Sequence, residues 1–490
     1  MKSLFKSSVY NITYKVFTLM FPLISATYVS RILMAEGVGK AALAQNVVSY
    51  FIMLATLGMM SHGTREIGRV QKDPDKYSIT FMELLTISIV STCICSAAYF
   101  IMILNLSFFK ENMLLYSAAG VQLILSGINV DWFYQGIEEY GYITVRSIII
   151  KVFTLIAMFC LIKTSNDVIF YVLLSSIALV GNNILNLYHL RRYIRFKRSI
   201  ISKMKPFKHM KTLLVLLSTM IAVELYTKLD TTMLGLFASE RNVGYFTYAT
   251  KLSSMLIGIT ASVSIILLPR LSYYFQNGLI DEFRNTVKMS YKTLLVITFP
   301  CTVGMIMVSD TAVLLLFGED FAPASLTIKI LSLLMIIKSI GNLYGTQVLL
   351  TLNFEKKLFY TTVVGAVSNI MLNSVLIPMW AHNGTAAASV ASELIVMTLQ
   401  MVFAKKYVNY GVPKGFLRTI FIPLLTMAFC VWMIQALITN LYISLLLSIV
   451  TGIVIYLGLG LIMKNEIMIY ILKRVKKNFF LYIPREIHTN

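Results

Sequence analysis

Long apolar stretches alternate with short polar ones along almost the whole chain. A stretch of about 20 apolar residues is long enough to cross a bilayer as a helix. The pattern therefore predicts an all-α polytopic membrane protein with fourteen transmembrane helices. The predicted spans cover residues 9–31, 41–62, 81–104, 113–134, 144–163, 167–188, 212–237, 243–269, 291–317, 324–350, 359–379, 383–404, 417–439 and 441–463.

The polar stretch between the sixth and seventh spans, residues 190–211, is strongly basic. It holds nine Lys and Arg residues and no acid. In a membrane protein, such a loop is typical of the anionic cytoplasmic face. The loops and termini on the same side of the predicted topology hold 32 of the 43 Lys and Arg residues, whereas the opposite loops hold five. This asymmetry predicts that both termini are cytoplasmic.

The two halves of the chain share a sparse pattern. Gly39 and Gly244 lie 205 positions apart, and so do Arg65 and Arg270. Equivalent helices that run in the same direction indicate a parallel repeat about an axis along the membrane normal. The sequence predicts five domains. They are a six-helix bundle (1–189), a basic linker (190–211), a second six-helix bundle (212–405), an extra helix pair (406–463) and a basic tail (464–490).

Composition agrees with lipid as the main solvent. The chain is 57% hydrophobic and 13% charged, about half the charge of an ordinary soluble protein. The net charge of +21 lies in short loops between apolar segments, so it does not form the folded basic face that nucleic-acid binding requires. The apolar start of the chain contains polar residues and lacks a small-residue cleavage site, which makes it a poor signal peptide.

Catalytic chemistry is not indicated. The sequence has no GxxxxGK[ST] nucleotide-binding motif, and its loops are too short for an extramembrane catalytic domain. The five cysteines lie within apolar tracts, and the five histidines show no metal-ligand spacing. We therefore expect a transporter with no cofactor and no metal site, and not an enzyme.

Six lysines fall inside predicted spans, where a charge at the helix centre costs about 2.5–3.5 kcal/mol. Lys329, and less clearly Lys15, lie near span ends and can extend toward the membrane surface. Lys338 lies about half a turn around the same helix from Lys329, so the two cannot line one surface. The six lysines are Lys15, Lys151, Lys228, Lys251, Lys329 and Lys338.

Acidic residues accompany these lysines. Glu224 lies one helical turn before Lys228 on the same face, so a local ion pair is one interpretation of both charges. Asp230, Asp310 and Glu393 also fall inside spans. The other interpretation is a water-filled cavity with an excess of cations, which would attract phosphate groups.

Several segments, taken in order, resemble the O-antigen and capsular polysaccharide repeat-unit flippases of the multidrug/oligosaccharidyl-lipid/polysaccharide exporter superfamily. The resemblance extends to about residue 405. The segments are FPLISATYVSRILMAEGVG (21–39), VVSYFIMLATLGMMSHGTREIGR (47–69), DWFYQGIEEYGYITVR (131–146), LDTTMLGLFASERNVGYFTYATKL (229–252) and LLPRLS (267–272).

The resemblance implies a protein of the bacterial inner membrane that moves undecaprenyl-pyrophosphate-linked oligosaccharide to the periplasmic leaflet. It also implies a cationic cavity, and a polysaccharide polymerase and a chain-length regulator as partners. FPLISAT (21–27) lacks a second proline, so a bend of the first helix is expected at Pro22 alone. The motif positions are Arg31, Arg65, Glu66, Asp131, Asp230, Lys251 and Arg270.

The candidate cationic cavity therefore combines motif positions with deep lysines. Glu224 or Asp230 could carry a coupling proton. The same two carboxylates keep open a cation-coupled multidrug antiporter of the same superfamily, and a membrane polysaccharide polymerase is a third alternative. The residues expected to bind substrate are Arg31, Lys228, Lys251, Lys338, Lys15 and Lys151.

Overall fold

A computed structural model describes residues 4–194, 202–408 and 411–480, and every regular element among them is helical. The first half contains α1 Leu4–Thr56, α2 Met59–Val70, α3 Pro74–Asn105, α4 Ser107–Lys110, α5 Met113–Ser126, α6 Asp131–Gly136, α7 Tyr140–Leu161, α8 Val168–Val180, α9 Asn182–Leu190, the 3₁₀ turn Pro206–His209 and α10 Met210–Phe237. The second half contains α11 Glu240–Gln276, α12 Ile280–Phe317, the 3₁₀ turn Glu319–Phe321, α13 Ala324–Ser332, α14 Leu334–Asn342, the π-helical turn Leu343–Leu349, α15 Glu355–Ala404, α16 Lys414–Leu437, α17 Leu441–Ile462 and α18 Glu466–Phe480.

Within the described residues, ten helical stretches are long and apolar enough to cross a membrane. Two of them are 50 residues long. Each of these two is interrupted near its middle or before it by a residue with non-helical backbone angles, Met34 (φ 57°) in α1 and Ala381 (φ 45°) in α15. Each can therefore account for two of the predicted spans. Pro22 lies within α1. The all-α membrane fold is confirmed, and the number of fourteen spans is compatible with these helices.

The outer surfaces of these helices are apolar. Ile94, Leu425 and Leu446 each leave about two thirds of their surface exposed, and many other large apolar side chains are similarly exposed. A soluble monomer rarely exposes such continuous apolar surface, because contact with water would be unfavourable. The surface is instead suited to the hydrocarbon interior of a bilayer.

The loops are shorter than the hydropathy pattern predicts, because the helices continue beyond the apolar windows. The predicted loop 63–80 is wrong in its bounds: α2 runs to Val70, and α3 begins at Pro74. Asp73 caps α3 by accepting hydrogen bonds from the backbone N–H groups of Asp75 and Lys76. Hydropathy marks where a helix leaves the lipid, whereas caps mark where the helix ends.

The chain divides into two compact units, Met1–Thr247 and Tyr248–Asn490. In the first unit, an aromatic core forms around Phe81, Trp132 and Phe133. The second unit has its own core of buried aliphatic and aromatic side chains. The five predicted domain ranges stay predictions. Residues 195–201 of the basic linker and 481–490 of the tail lie outside the described residues.

Gly39 and Gly244, the glycines that the sequence pairs across the two halves, mark a close helix crossing in the first unit. A Cβ atom at Gly244 would lie 2.0 Å from the carbonyl oxygen of Ala35, and one at Gly39 would lie 1.7 Å from that of Glu240. No side chain fits at either distance. The two backbones can pack this closely only because both residues are glycines.

Replacing Gly244 by alanine is expected to destabilise the folded protein by about 1–3 kcal/mol, because the added methyl group forces two backbones apart. The measurement is the unfolding temperature of detergent-solubilised protein. Gly304→Ala is the matched control, since Gly304 is also helical and a Cβ atom there meets nothing within 4 Å. Equal unfolding temperatures for the two variants would contradict the close crossing.

Candidate functional site

In the first unit, Lys228 and Glu224 form an ion pair along α10. Lys228 Nζ lies 3.0 Å from Glu224 Oε2, and both side chains are about one third exposed. The ion pair that the four-residue spacing suggested is therefore present. Asp230 is half-buried on the same helix, two residues after Lys228. The negative charge of Glu224 is therefore already balanced by Lys228.

Within the first unit, polar side chains on α1 form hydrogen bonds with this part of α10. Asn46 Nδ2 donates to the backbone oxygen of Lys228 at 3.3 Å and to Thr232 Oγ1 at 2.7 Å. The hydroxyl of Tyr50 also bonds Thr232 Oγ1, at 2.8 Å. Hydrogen bonds of this kind join helices in a membrane. They place the Lys228 backbone firmly against α1.

The other cationic candidates of the first unit lie on α1 and α7. Lys151 Nζ lies 5.9 Å from the ring centroid of Phe21, within the range of a cation–π contact. Arg31 is an exposed residue of α1. Lys15 lies on α1, and its side chain is outside the described part of the structure. Lys151 of α7 is therefore adjacent to α1, as it must be if residues of both helices line one cavity.

In the second unit, Lys251 lies against aromatic rings. Its Nζ lies 4.9 Å from the ring centroid of Tyr248. Tyr248 is fully buried, stacks on Phe321 at 5.0 Å and contacts Phe317 at 4.8 Å. Among the described residues, no carboxylate lies within ion-pair distance of Lys251. Its ammonium group therefore keeps the capacity to bind an anion.

Two further lysines of the second unit are paired with carboxylates. Lys338 Nζ lies 3.0 Å from Glu393 Oε1, a largely buried carboxylate on α15. Lys329 Nζ lies 2.7 Å from Asp310 Oδ2, and Asp310 also accepts a hydrogen bond from Ser325. Lys338 therefore has a carboxylate partner within its own unit, and its role in substrate binding stays a prediction.

The motif residues Arg65 and Glu66 lie within α2, and Arg270 lies within the second half of α11. Glu66 and Arg69 form an ion pair at 2.8 Å, and Arg65 Nε lies 3.7 Å from Glu66 Oε1. Arg65 and Glu66 are therefore helical, although both lie beyond the end of the predicted span 41–62. Arg270 is exposed and donates from Nε to the Tyr274 hydroxyl at 2.9 Å.

Asp131 belongs to a buried network. Its Oδ1 accepts from Arg146 Nη2 at 2.7 Å and from Asn186 Nδ2 at 2.6 Å, and Arg146 also donates to Asn186 Oδ1. Arg146 is 3% exposed. The Tyr142 ring centroid lies 5.3 Å from its guanidinium. Asp131 therefore neutralises a buried guanidinium, which is a structural task.

Sequence reasoning missed Arg146 and a second buried cluster, formed by Glu83, His62 and His209. Arg146 is the last residue of the segment 131–146 that Asp131 begins, and that position is the signal that could have indicated it. Glu83 and His209 are each less than 5% exposed and lie on α3 and on the linker. Only the position of an acid inside a predicted span could have indicated Glu83.

The fold defines the class: this is a multi-pass, all-α membrane protein. A family model described as "Polysaccharide biosynthesis protein" matches residues 4–275, more than half of the chain. The protein belongs to this family. The resemblance to the polysaccharide flippase family stated from the sequence segments is thereby confirmed at the level of the family.

Relatives and solved structures agree with this assignment. Proteins named "Putative O-antigen transporter" from Shigella dysenteriae and Escherichia coli (strain K12) are 21% and 22% identical to this chain. The alignments cover 79% of this chain in each case, and 96% and 93% of those proteins. The fold matches the inward closed conformation of the lipid II flippase MurJ with a TM-score of 0.66, at 16% identity over 94% of this chain and 99% of that one. An inward-facing MATE multidrug resistance transporter matches with a TM-score of 0.59, at 14% identity over 81% of this chain and 97% of that one.

Proposed function

We propose that the protein is a flippase that carries undecaprenyl-pyrophosphate-linked oligosaccharide repeat units from the cytoplasmic to the periplasmic leaflet of the inner membrane. The glycan would serve O-antigen or capsule synthesis. The basic loops support an orientation with both termini in the cytoplasm. The family, the named relatives and the fold support lipid-linked glycan transport over catalysis.

The observation that carries the proposal is the environment of Lys251. Its ammonium group lies on an aromatic platform rather than beside a carboxylate. An ammonium in low dielectric attracts a phosphate group strongly, because little water screens the interaction. We propose that Lys251 binds the pyrophosphate. Sugars would occupy an aqueous cavity while the polyprenyl tail stays in lipid.

Transport would proceed by alternating access, with the polyprenyl tail always in the bilayer. The sequence carries no nucleotide-binding motif, so the energy would come from an ion gradient, from the membrane potential or from removal of product. Glu224, which pairs with Lys228, or Asp230 would carry the coupling proton. A polymerase and a chain-length regulator would use the flipped units.

Depletion of the protein is expected to leave lipid-linked repeat units on the cytoplasmic leaflet. The measurement compares labelling of the glycan by a membrane-impermeant reagent in intact spheroplasts and in lysed membranes. The expected result is labelling only after lysis, with the wild-type gene restoring labelling in intact spheroplasts. Normal labelling in depleted spheroplasts would contradict the proposal. Increased drug sensitivity with normal glycan export would favour the multidrug antiporter.

A further inference from the structure

A chain of hydrogen bonds joins the basic linker to α2 and α3 of the first unit. His209 Nε2 lies 3.2 Å from Glu83 Oε2, and His209 Nδ1 lies 2.9 Å from His62 Nε2. His62 Nδ1 lies 3.4 Å from Arg65 Nη2. Glu83, His62 and His209 are 1%, 3% and 4% exposed. The transport mechanism proposed above uses none of these three buried groups.

The carboxylate at one end of this chain also anchors the linker. Glu83 Oε1 accepts from the backbone N–H of Lys205 at 2.7 Å, and Lys208 Nζ lies 2.7 Å from Glu83 Oε2. The Lys205 N–H and the Lys208 ammonium group are two donors whose protons are not in question, and they indicate that Glu83 is ionised and acts only as an acceptor. His209 Nε2 must therefore carry a proton.

The two ends of the chain fix where every proton lies. Arginine only donates, so His62 Nδ1 is an acceptor. Glu83 only accepts, so His209 donates from Nε2, which leaves its Nδ1 to accept from His62 Nε2–H. All three hydrogen bonds are satisfied when both histidines are neutral. This tautomer assignment follows from the partners alone.

An additional proton can enter this chain in only two ways. It can bind His62 Nδ1, where it meets the N–H of Arg65. It can instead bind His209 Nδ1, and His62 must then become the Nδ1–H tautomer, which again faces Arg65. In both cases two donors meet at the contact between His62 and Arg65. That contact is the one that must break.

We propose that this chain is a proton-binding site and that its occupancy sets the position of Arg65. With both histidines neutral, Arg65 donates to His62. With one proton bound, Arg65 leaves His62 for solvent or for Glu66, whose Oε1 already lies 3.7 Å from its Nε. Arg65 can move because about half of its side chain is exposed. Its departure also removes a cation from beside the new imidazolium.

Charged residues also lie on the elements around the buried rings. On α2, Arg69 is paired with Glu66. On α6, which packs against α2, Asp131 is bonded to Arg146 and Asn186. Lys211, at the start of α10, is exposed. Among the described residues, Glu83 is the carboxylate bonded to a histidine of this chain, and Glu66 is a second carboxylate that attracts a positive charge on His62. Glu83 lies on the side predicted to face the cytoplasm.

The test is nitrogen NMR of the full chain in lipid bilayers, with ¹⁵N-labelled histidine. The sequence has five histidines, which single His→Gln variants assign. At about pH 8, His62 and His209 should both be neutral with the proton on Nε2, and at about pH 5 the pair should hold one additional proton. Protonation of His62 Nδ1 should accompany that uptake. Two independent titrations, no titration, or an Nδ1–H tautomer at high pH would overturn the proposal.

Two arginine variants distinguish the effect of the hydrogen bond between Arg65 and His62 from the effect of removing any positive charge from α2. Arg65→Ala and Arg69→Ala each remove one cation from α2, but only Arg65 contacts His62. Arg65→Ala should raise the pH of half-protonation by about one unit, and Arg69→Ala by clearly less. Equal shifts would overturn the proposal. Neither residue is buried, so both variants should fold, and the measurement needs no transport substrate.

Discussion

Replacing Lys251 by alanine is expected to reduce flipping about ten- to a hundredfold while the protein remains in the membrane at its normal level. A charge-assisted hydrogen bond to a phosphate group contributes about 1.5–3 kcal/mol, and each 1.4 kcal/mol is a factor of ten. The loss should be near the upper end, because no described carboxylate offsets the charge of Lys251. The measurement is the rate of lipid-linked glycan flipping in proteoliposomes, with protein quantified in the same vesicles.

Lys329→Ala is the matched control in the same unit. Lys329 already forms an ion pair with Asp310, so its removal should leave flipping within about twofold of the wild-type rate. Lys251→Arg keeps the cation and should retain most of the activity. Comparable losses for Lys251→Ala and Lys329→Ala would contradict the assignment of Lys251 to the phosphate site.

The general fold could be predicted from the sequence because lipid imposes a simple rule. A spanning backbone must satisfy its own hydrogen bonds, so each apolar window of about 20 residues becomes a helix. The helix ends could not be predicted in the same way. The turn around Arg65 and Glu66 is amphipathic and continues past the apolar window, and Asp73 rather than a change in hydropathy starts the next helix.

The charged residues illustrate a second limit. The pair between Glu224 and Lys228 could be predicted because partners one turn apart on a helix share a face. The pair between Lys338 and Glu393 could not, because its members lie on different helices and only packing brings them together. A prediction based only on how deep a lysine lies in its predicted span therefore overestimates the number of lysines without a carboxylate partner.

The same limit explains the buried cluster of Glu83, His62 and His209. Its three members come from α2, α3 and the end of the basic linker. Isolated histidines carry no recognisable spacing, so the sequence offered no reason to connect them. The basic charge of the linker predicts only that it lies at the cytoplasmic membrane face. In the structure, Lys205 and Lys208 of the linker also contact the buried carboxylate of Glu83.

Asp131→Ala is expected to have the largest effect on stability, about 3–5 kcal/mol, because it leaves the Arg146 guanidinium buried without a counter-charge. A folded protein is stable by only about 5–15 kcal/mol, so much of the variant should fail to accumulate in the membrane. The measurements are the amount of folded protein and its unfolding temperature in detergent. Glu66→Ala is the control, since Glu66 comes from the same set of motif residues but pairs with the exposed Arg69.

Removing both charges separates a structural role of Asp131 from a role in binding cargo. The double variant Asp131→Leu with Arg146→Met replaces a buried ion pair by apolar side chains, which is often neutral for stability. It should therefore regain most of the folded protein that Asp131→Ala loses. If Asp131 instead contacts cargo, Asp131→Ala would accumulate normally and fail to flip, and the double variant would be equally inactive. Recovery of both folding and flipping in the double variant would assign Asp131 to the internal support of the first unit, because no cargo contact could survive the loss of both charges.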